Sequence, residues 1–259
     1  MTENEIILLV VSGVIVGIIN TLGGGGSVIS MALFMAMGMP VGVANGTNRI
    51  AVVLQNLSAT VSFMRKRMVD YRSSLLLSIP AIVGNIVGSL VATKVDADTF
   101  KICLSVVLCV ILIYLILDRN NKPDIHAGHA LKIHWWHYPL FFLVGFYGGY
   151  IYIGLGFLIL AVTIWTMRLD IVTANVLKGF VIFLSTPFAL PVFIDNNQIL
   201  LAEGLTHGAG NIIGAILASY MVTSWGVKFV KWFTFFIIIV SFVDIMGWIS
   251  LQDLLSGLL

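Results

Sequence analysis

The feature that most restricts this chain is a succession of apolar stretches long enough to cross hydrocarbon. They fall at about residues 43 to 64, 73 to 93, 99 to 117, 172 to 194, 199 to 222 and 229 to 248, each near the roughly 20 residues that a helix needs to span a bilayer core. With 59% hydrophobic and 10% charged residues over 259 positions, the composition lies far outside the soluble range. An all-α polytopic membrane protein is expected. The opening MTENEIILLV has no basic residue and reads as the approach to a first membrane segment rather than a cleaved leader. A net charge of +2 implies no nucleic-acid partner; membrane lipid is the expected surroundings. Cys103 and Cys109 lie on different faces of one expected helix, which suits packing better than a disulfide or a metal pair.

The chain repeats itself. GNIVGSLVA at 84 to 92 and GNIIGAILA at 210 to 218 share Gly, Asn, Ile, Gly and Ala in register, and asparagine is rare in such apolar company. VANGTNR ending at Arg49 and VTANVLK ending at Lys178 each put a cation about seven residues into a span, and glycines recur at 23 to 26 and 154 to 156. The expected organisation is a first transmembrane repeat at 1 to 117, a cytoplasmic linker at 118 to 136 and a second repeat at 137 to 259.

Charge orients the halves. Lys and Arg mark cytoplasmic loops, and of the 14 present four fall in 65 to 72, three in the linker, one at Arg168 and two in 224 to 231. Two more lie in 94 to 101, assigned outside, and Arg49 and Lys178 lie within spans. Loop 65 to 72 is then inside while its counterpart 195 to 198 is outside, so the repeat is inverted.

NTLGGGGS at 20 to 27 interrupts an apolar run with four consecutive glycines, each costing about 1 kcal/mol inside a helix. Residues 6 to 38 and 138 to 167 are too long for one span and short for two. Each is read as two short helices meeting at glycines, giving two five-segment halves and about 10 helical segments. Broken helices at membrane depth are tolerated where they line a cavity, and they form the midplane site of inverted-repeat transporters. Gly24, Gly25, Gly26 and Ser27 are thus candidates to present N–H groups to an anion at the start of a half-helix. The plainer reading is that the glycines only permit close helix packing.

Taken together, the glycine run, GTNR at 46 to 49, LQNLSA at 54 to 59, GNIVG at 84 to 88 and the degenerate second copy resemble the TauE/SafE-type sulfite exporters, also called toluene sulfonate uptake permeases. The resemblance covers nearly the whole chain. It implies transport of small sulfur-containing anions such as sulfite, thiosulfate or sulfonates across a bacterial cytoplasmic membrane. The second copy departs from the family pattern at IYIGLGF, which lacks a proline, and at Val181, where an asparagine is usual.

Ionisable groups within a span are costly and default to functional candidates. Arg49 and Lys178 are expected to face one central cavity and attract an anion; snorkelling to the interface is the alternative. Asn45, Thr47 and Asn48 either cap a helix or donate to an oxyanion. Asn85 and Asn211, each between G-x-x-x-G glycines, either bond across helices or touch substrate; Gln55, Asn56 and Ser58 are weaker candidates for the same path. Glu203 and His207 share a helix face and are the candidates for proton coupling, with a local ion pair as the alternative. His126, His129, His134 and His137 in the linker read as solvated histidines beside Trp135 and Trp136, not as a metal site, and no cofactor is expected.

No Walker-type sequence offers ATP coupling, so a secondary transporter of a small anionic substrate leads. A passive anion channel on the same scaffold is the alternative. An intramembrane hydrolase using Ser27 and His207 is the weakest reading, since nothing orients the histidine, and no enzyme is expected.

Overall fold

The computed structural model describes residues 1–92, 131–245 and 255–257. In the first half, α1 (Glu3–Leu22) is followed by α2 (Ser27–Ala36), α3 (Val41–Arg65) and α4 (Tyr71–Ala92). In the second, α5 (His137–Tyr150) is followed by α6 (Leu155–Met167), α7 (Ile171–Ser185), a 3-10 turn (Thr186–Ala189), α8 (Leu190–Asp195) and α9 (Leu201–Ile245). The expected span at 99 to 117, both cysteines and most of the linker, with His126 and His129, lie outside the described residues.

Local chemistry explains the boundaries. Thr2 caps α1, its hydroxyl accepting from the Glu5 N–H while the Glu5 carboxylate accepts from the Thr2 N–H, so two amides without helical partners are bonded reciprocally. The helix stops at the glycine run, where Gly24 and Gly25 take φ of 99° and 84°, a region closed to most residues with a Cβ. The Asp170 side chain accepts from the N–H groups of Val172 and Thr173 to start α7. Pro187 and Pro191 then sit where α7 tightens into the 3-10 turn and resumes as α8.

Four helical stretches are long and apolar enough to cross a membrane: Glu3–Leu22, Tyr71–Ala92, Ile171–Asp195 and Leu201–Val222. Their outward faces are apolar. Ile7, Val11 and Ile15 are exposed along α1, Leu75, Ile79 and Val83 along α4, and Leu205, Ile213 and Leu217 along α9, each row at helical spacing. The polar side chains go inward, with Asn20, Asn45, Asn48, Arg49, Gln55, Asn56, Asn85, Lys178, His207 and Asn211 all buried. Exposed hydrocarbon around a polar interior is the arrangement a lipid solvent selects.

Two expectations need correction. The helices α1 and α2 meet at the glycines, but at 20 residues α1 is not short; at 1.5 Å per residue it reaches about 30 Å. Nor is there a loop at 224 to 231, since α9 is one helix of 45 residues through that point. Its sequence there, TSWGVKFVKW, has no proline and a single glycine, and two lysines do not interrupt a helix.

The main packing crosses between the halves. In α1, a Cβ on Gly13 would lie 2.4 Å from the His207 carbonyl oxygen, and one on Gly17 2.4 Å from that of Asn211. In α5, Gly145 and Gly149 meet the carbonyls of Ala81 and Asn85 at 2.1 and 2.0 Å. The reverse contacts match: Gly84 and Gly88 lie on Phe142 and Phe146, Gly210 and Gly214 on Val10 and Val14. The two sets are related by a fixed shift for each helix pair, 13 to 145 and 17 to 149 from α1 to α5, and 81 to 207 and 85 to 211 from α4 to α9. Such distances admit no side chain, so the backbones themselves are in contact. The α3 helix runs alongside α9 in the same sense: Gly204 packs on Thr47, Gly208 on Ala51, and the Lys66 ammonium donates to the Ser219 carbonyl at 2.9 Å.

Candidate functional site

The two glycine turns cross at the centre of the molecule. A Cβ on Gly24 would lie 2.9 Å from the Gly156 Cα, and one on Gly156 2.8 Å from the Gly24 Cα. Beside this crossing is a small, partly enclosed cleft with polar walls, with room for about one water molecule. Asn20, Gly24, Gly25 and Ser27 wall it from the first turn, Tyr152, Gly154 and Gly156 from the second, Gln55 and Asn56 from α3, and Lys178 and Ile182 from α7.

Lys178 is 2% exposed. Its ammonium donates to the Asn20 main-chain carbonyl at 2.8 Å and to the Asn175 side-chain oxygen, while the Asn175 amide donates to the Leu22 carbonyl at 2.8 Å. The cation is thus fixed on the last turn of α1, where carbonyls lack helical partners. The Asn20 amide donates to the Gln55 side-chain oxygen at 3.1 Å. The first turns of α2 and α6 both open here, and helix N-termini carry partial positive charge. A buried ammonium, two helix starts and side-chain amides thus converge here, donor groups of the kind that bond anions.

Arg49 stands elsewhere. It is wholly buried, and its Nη2 donates to the Gly149 carbonyl at 2.7 Å, the last turn of α5. Its guanidinium lies 4.3 Å from the Phe193 ring centre and 5.5 Å from that of Tyr152, so Tyr152 touches both the cavity and Arg49. The two cations do not face one cavity as expected; only Lys178 lines it.

The remaining candidates divide. Gly24, Gly25 and Ser27 line the cavity, and Gly26 backs it, a Cβ there meeting the Asn20 side-chain oxygen at 3.0 Å. Asn45 lies one turn before Arg49, and the Thr47 hydroxyl accepts from the Leu200 N–H at 3.0 Å. Asn48 and Asn85 are buried with neither amide atom bonded among the described residues. Asn211 donates to the His207 carbonyl. His207 is enclosed by α1, α2 and α9: its Nδ1 bonds the Leu9 carbonyl at 3.0 Å, its Nε2 meets the Ser30 hydroxyl at 2.9 Å, and Ser12 stands 3.4 Å from Nδ1. A carbonyl accepts only, so Nδ1 carries a proton, and in the neutral imidazole Nε2 accepts from the Ser30 hydroxyl. Among the described residues no ion pair joins Glu203 to His207, and the imidazole's hydroxyl partners are Ser30 and Ser12, not Ser27. The His134 N–H donates at 2.8 Å to the Nδ1 of His137, which opens α5 and is buried rather than solvated as expected, and no group of three metal-ligating side chains occurs among the described residues. Tyr152 escaped the sequence reading because an aromatic in an apolar run resembles core; its position between glycine-bearing turns was the available signal.

A polytopic helical bundle with a polar interior and helices broken at membrane depth is the architecture of a membrane transporter. Residues 9–245 match the family described as Sulfite exporter TauE/SafE, and the chain belongs to it. It is a transporter, not an enzyme. Among its relatives are "Probable membrane transporter protein ORF9" of Sinorhizobium sp, 28% identical over 223 residues that cover 86% of this chain and 85% of the relative. A "Probable membrane transporter protein" of Haemophilus influenzae is 27% identical over 229 residues, covering 85% and 86%. "Probable membrane transporter protein YunE" of Bacillus subtilis is 25% identical over 245 residues, covering 84% and 90%. No solved structure matches the chain.

Proposed function

We propose that the chain is a secondary transporter of small sulfur-containing anions of the sulfite, thiosulfate or organosulfonate type in the bacterial cytoplasmic membrane, with the anion held at Lys178 between two inverted repeats. The observation that carries this is the ammonium of Lys178, buried in a cavity walled by two glycine turns and side-chain amides. The fixed shift between equivalent helix contacts, one for each helix pair, supports the repeat. Inversion is supported by α9, the counterpart of α4, which runs alongside α3, whereas α3 and α4, joined by the short turn 66 to 70, cross in opposite senses. Coupling to protons would use His207 and Glu203, which the first half matches with Ala81 and Leu77.

The test is counterflow in proteoliposomes: unlabelled sulfite, thiosulfate or taurine inside should accelerate uptake of the labelled anion. A passive channel shows no such acceleration. Lys178→Gln should stay folded and lose anion binding by about tenfold or more, since charge-assisted hydrogen bonds are roughly twice as strong as neutral ones. Unchanged affinity in a folded Lys178→Gln protein rejects the site. An imposed pH gradient that drives the wild type, Glu203→Gln and His207→Ala equally removes the pair from coupling.

A further inference from the structure

We propose that Tyr152 divides the anion path into two stations, the cavity on Lys178 and the guanidinium of Arg49, and that transfer requires its ring to leave Arg49. This rests on the anion reading above.

Arg49 has what a second station needs. It is fully buried, yet its Nε and Nη1 have no hydrogen-bond partner among the described residues. Among the described residues it bonds through Nη2, to the Gly149 carbonyl at 2.7 Å and, at 3.5 Å, to the Asn45 side-chain oxygen. Arginine keeps its charge in proteins and offers five donors in a plane. The rings of Phe193 and Tyr152 approach within 4.3 and 5.5 Å of its centre, and rings bound to a guanidinium do not satisfy the N–H donors at its edge. Buried donors without acceptors are costly. An oxyanion supplies acceptors in the planar, paired geometry that arginine matches.

The two cations are counterparts. Each bonds a main-chain carbonyl in the last turn of the other half's first helix, Lys178 that of Asn20 and Arg49 that of Gly149. The shift that carries Gly13 to Gly145 carries Asn20 to Tyr152. At this position the Lys178 side has a short amide on the wall of the small cleft, and the Arg49 side has a ring over the cation. The two cations therefore differ in what stands beside them, an amide at Lys178 and a ring at Arg49. Tyr152 is itself in the left-handed region, φ 67°, sparsely populated for a bulky residue and common where a side chain must move or be aimed.

Two readouts test this on the full-length protein with sulfite as probe: equilibrium binding in detergent, and counterflow in proteoliposomes. Arg49→Gln should bind sulfite at the Lys178 cavity within about twofold of wild type yet slow counterflow about tenfold or more, and Arg49→Lys should recover part of it. Tyr152→Ala should let sulfite equilibrate without counterflow acceleration. Wild-type counterflow in Tyr152→Ala or in Arg49→Gln overturns the two stations, as does an Arg49→Gln affinity that falls in parallel with Lys178→Gln, which would mean one shared site. Either result leaves the anion reading standing. Failure of the wild type to bind sulfite, thiosulfate or taurine rejects that reading and the stations with it.

Discussion

Asp70, in the turn between α3 and α4, ties down the strand of chain that leads into α5. Burial pushes its carboxyl toward the neutral form, but hydrogen bonds from the Ser73 hydroxyl and the N–H groups of Leu131, Ser73 and Arg72 overcome this and hold it below the usual carboxylate range. The Leu131 N–H lies 2.9 Å from one carboxylate oxygen. A lowered folded value means that the bond's stabilisation is full above the unfolded value of about 3.9 and is lost as pH falls through the folded one. Asp70→Ala should therefore speed amide hydrogen exchange at Leu131 at neutral pH and flatten the loss of stability below about pH 4. At this scale, charges were the most legible features. Lys178 announces itself as an intramembrane cation, but the seclusion of Arg49 depends on Phe193, whose approach is decided by the 3-10 turn and α8 rather than by anything near GTNR.

Between elements, glycine substitutes for side-chain packing. Gly145→Ala would push a methyl group to 2.1 Å from the Ala81 carbonyl, so α5 and α4 must separate; a loss of about 1–3 kcal/mol, the range for overpacking, should appear as a lowered melting temperature. Gly179, also helical, makes the control, since its nearest neighbours would be the Thr60 hydroxyl at 3.7 Å and the Asn56 side-chain oxygen at 3.8 Å. Gly179→Ala should be neutral or stabilising by up to about 1 kcal/mol. Equal effects from the two substitutions would refute close backbone contact. The GNIVG and GNIIG copies made these faces visible in advance, because small residues at helical spacing have few other uses in lipid. The unbroken course of α9 was not visible, since a pair of lysines reads equally as a loop or as a charged helical turn.

For the whole molecule, side assignment is the sharpest expectation. Single cysteines at Asn197 and Lys132, both exposed, should differ in labelling from outside by an impermeant maleimide, with position 197 reactive and position 132 protected. Equal labelling, or labelling at 132 alone, is incompatible with an outward loop at 195 to 198 and an inward linker. The bundle itself was legible from hydropathy. Which helices are neighbours was not, because apolar faces carry no address, and only the paired glycine motifs hinted that equivalent helices share equivalent partners.

The exchanged pairing of α1 with α9 and α4 with α5 sets an order of assembly. A ribosome delivers the first half with its glycine faces bare: Gly84 and Gly88 meet their seat when residues 142 to 146 emerge, and Gly13 and Gly17 must wait for 207 to 211. The helix made first is thus among the last to be seated. Lys178 draws on a carbonyl of that helix, at Asn20, so a prematurely terminated chain lacking α9 leaves α1 without its groove and the cation without a firm anchor.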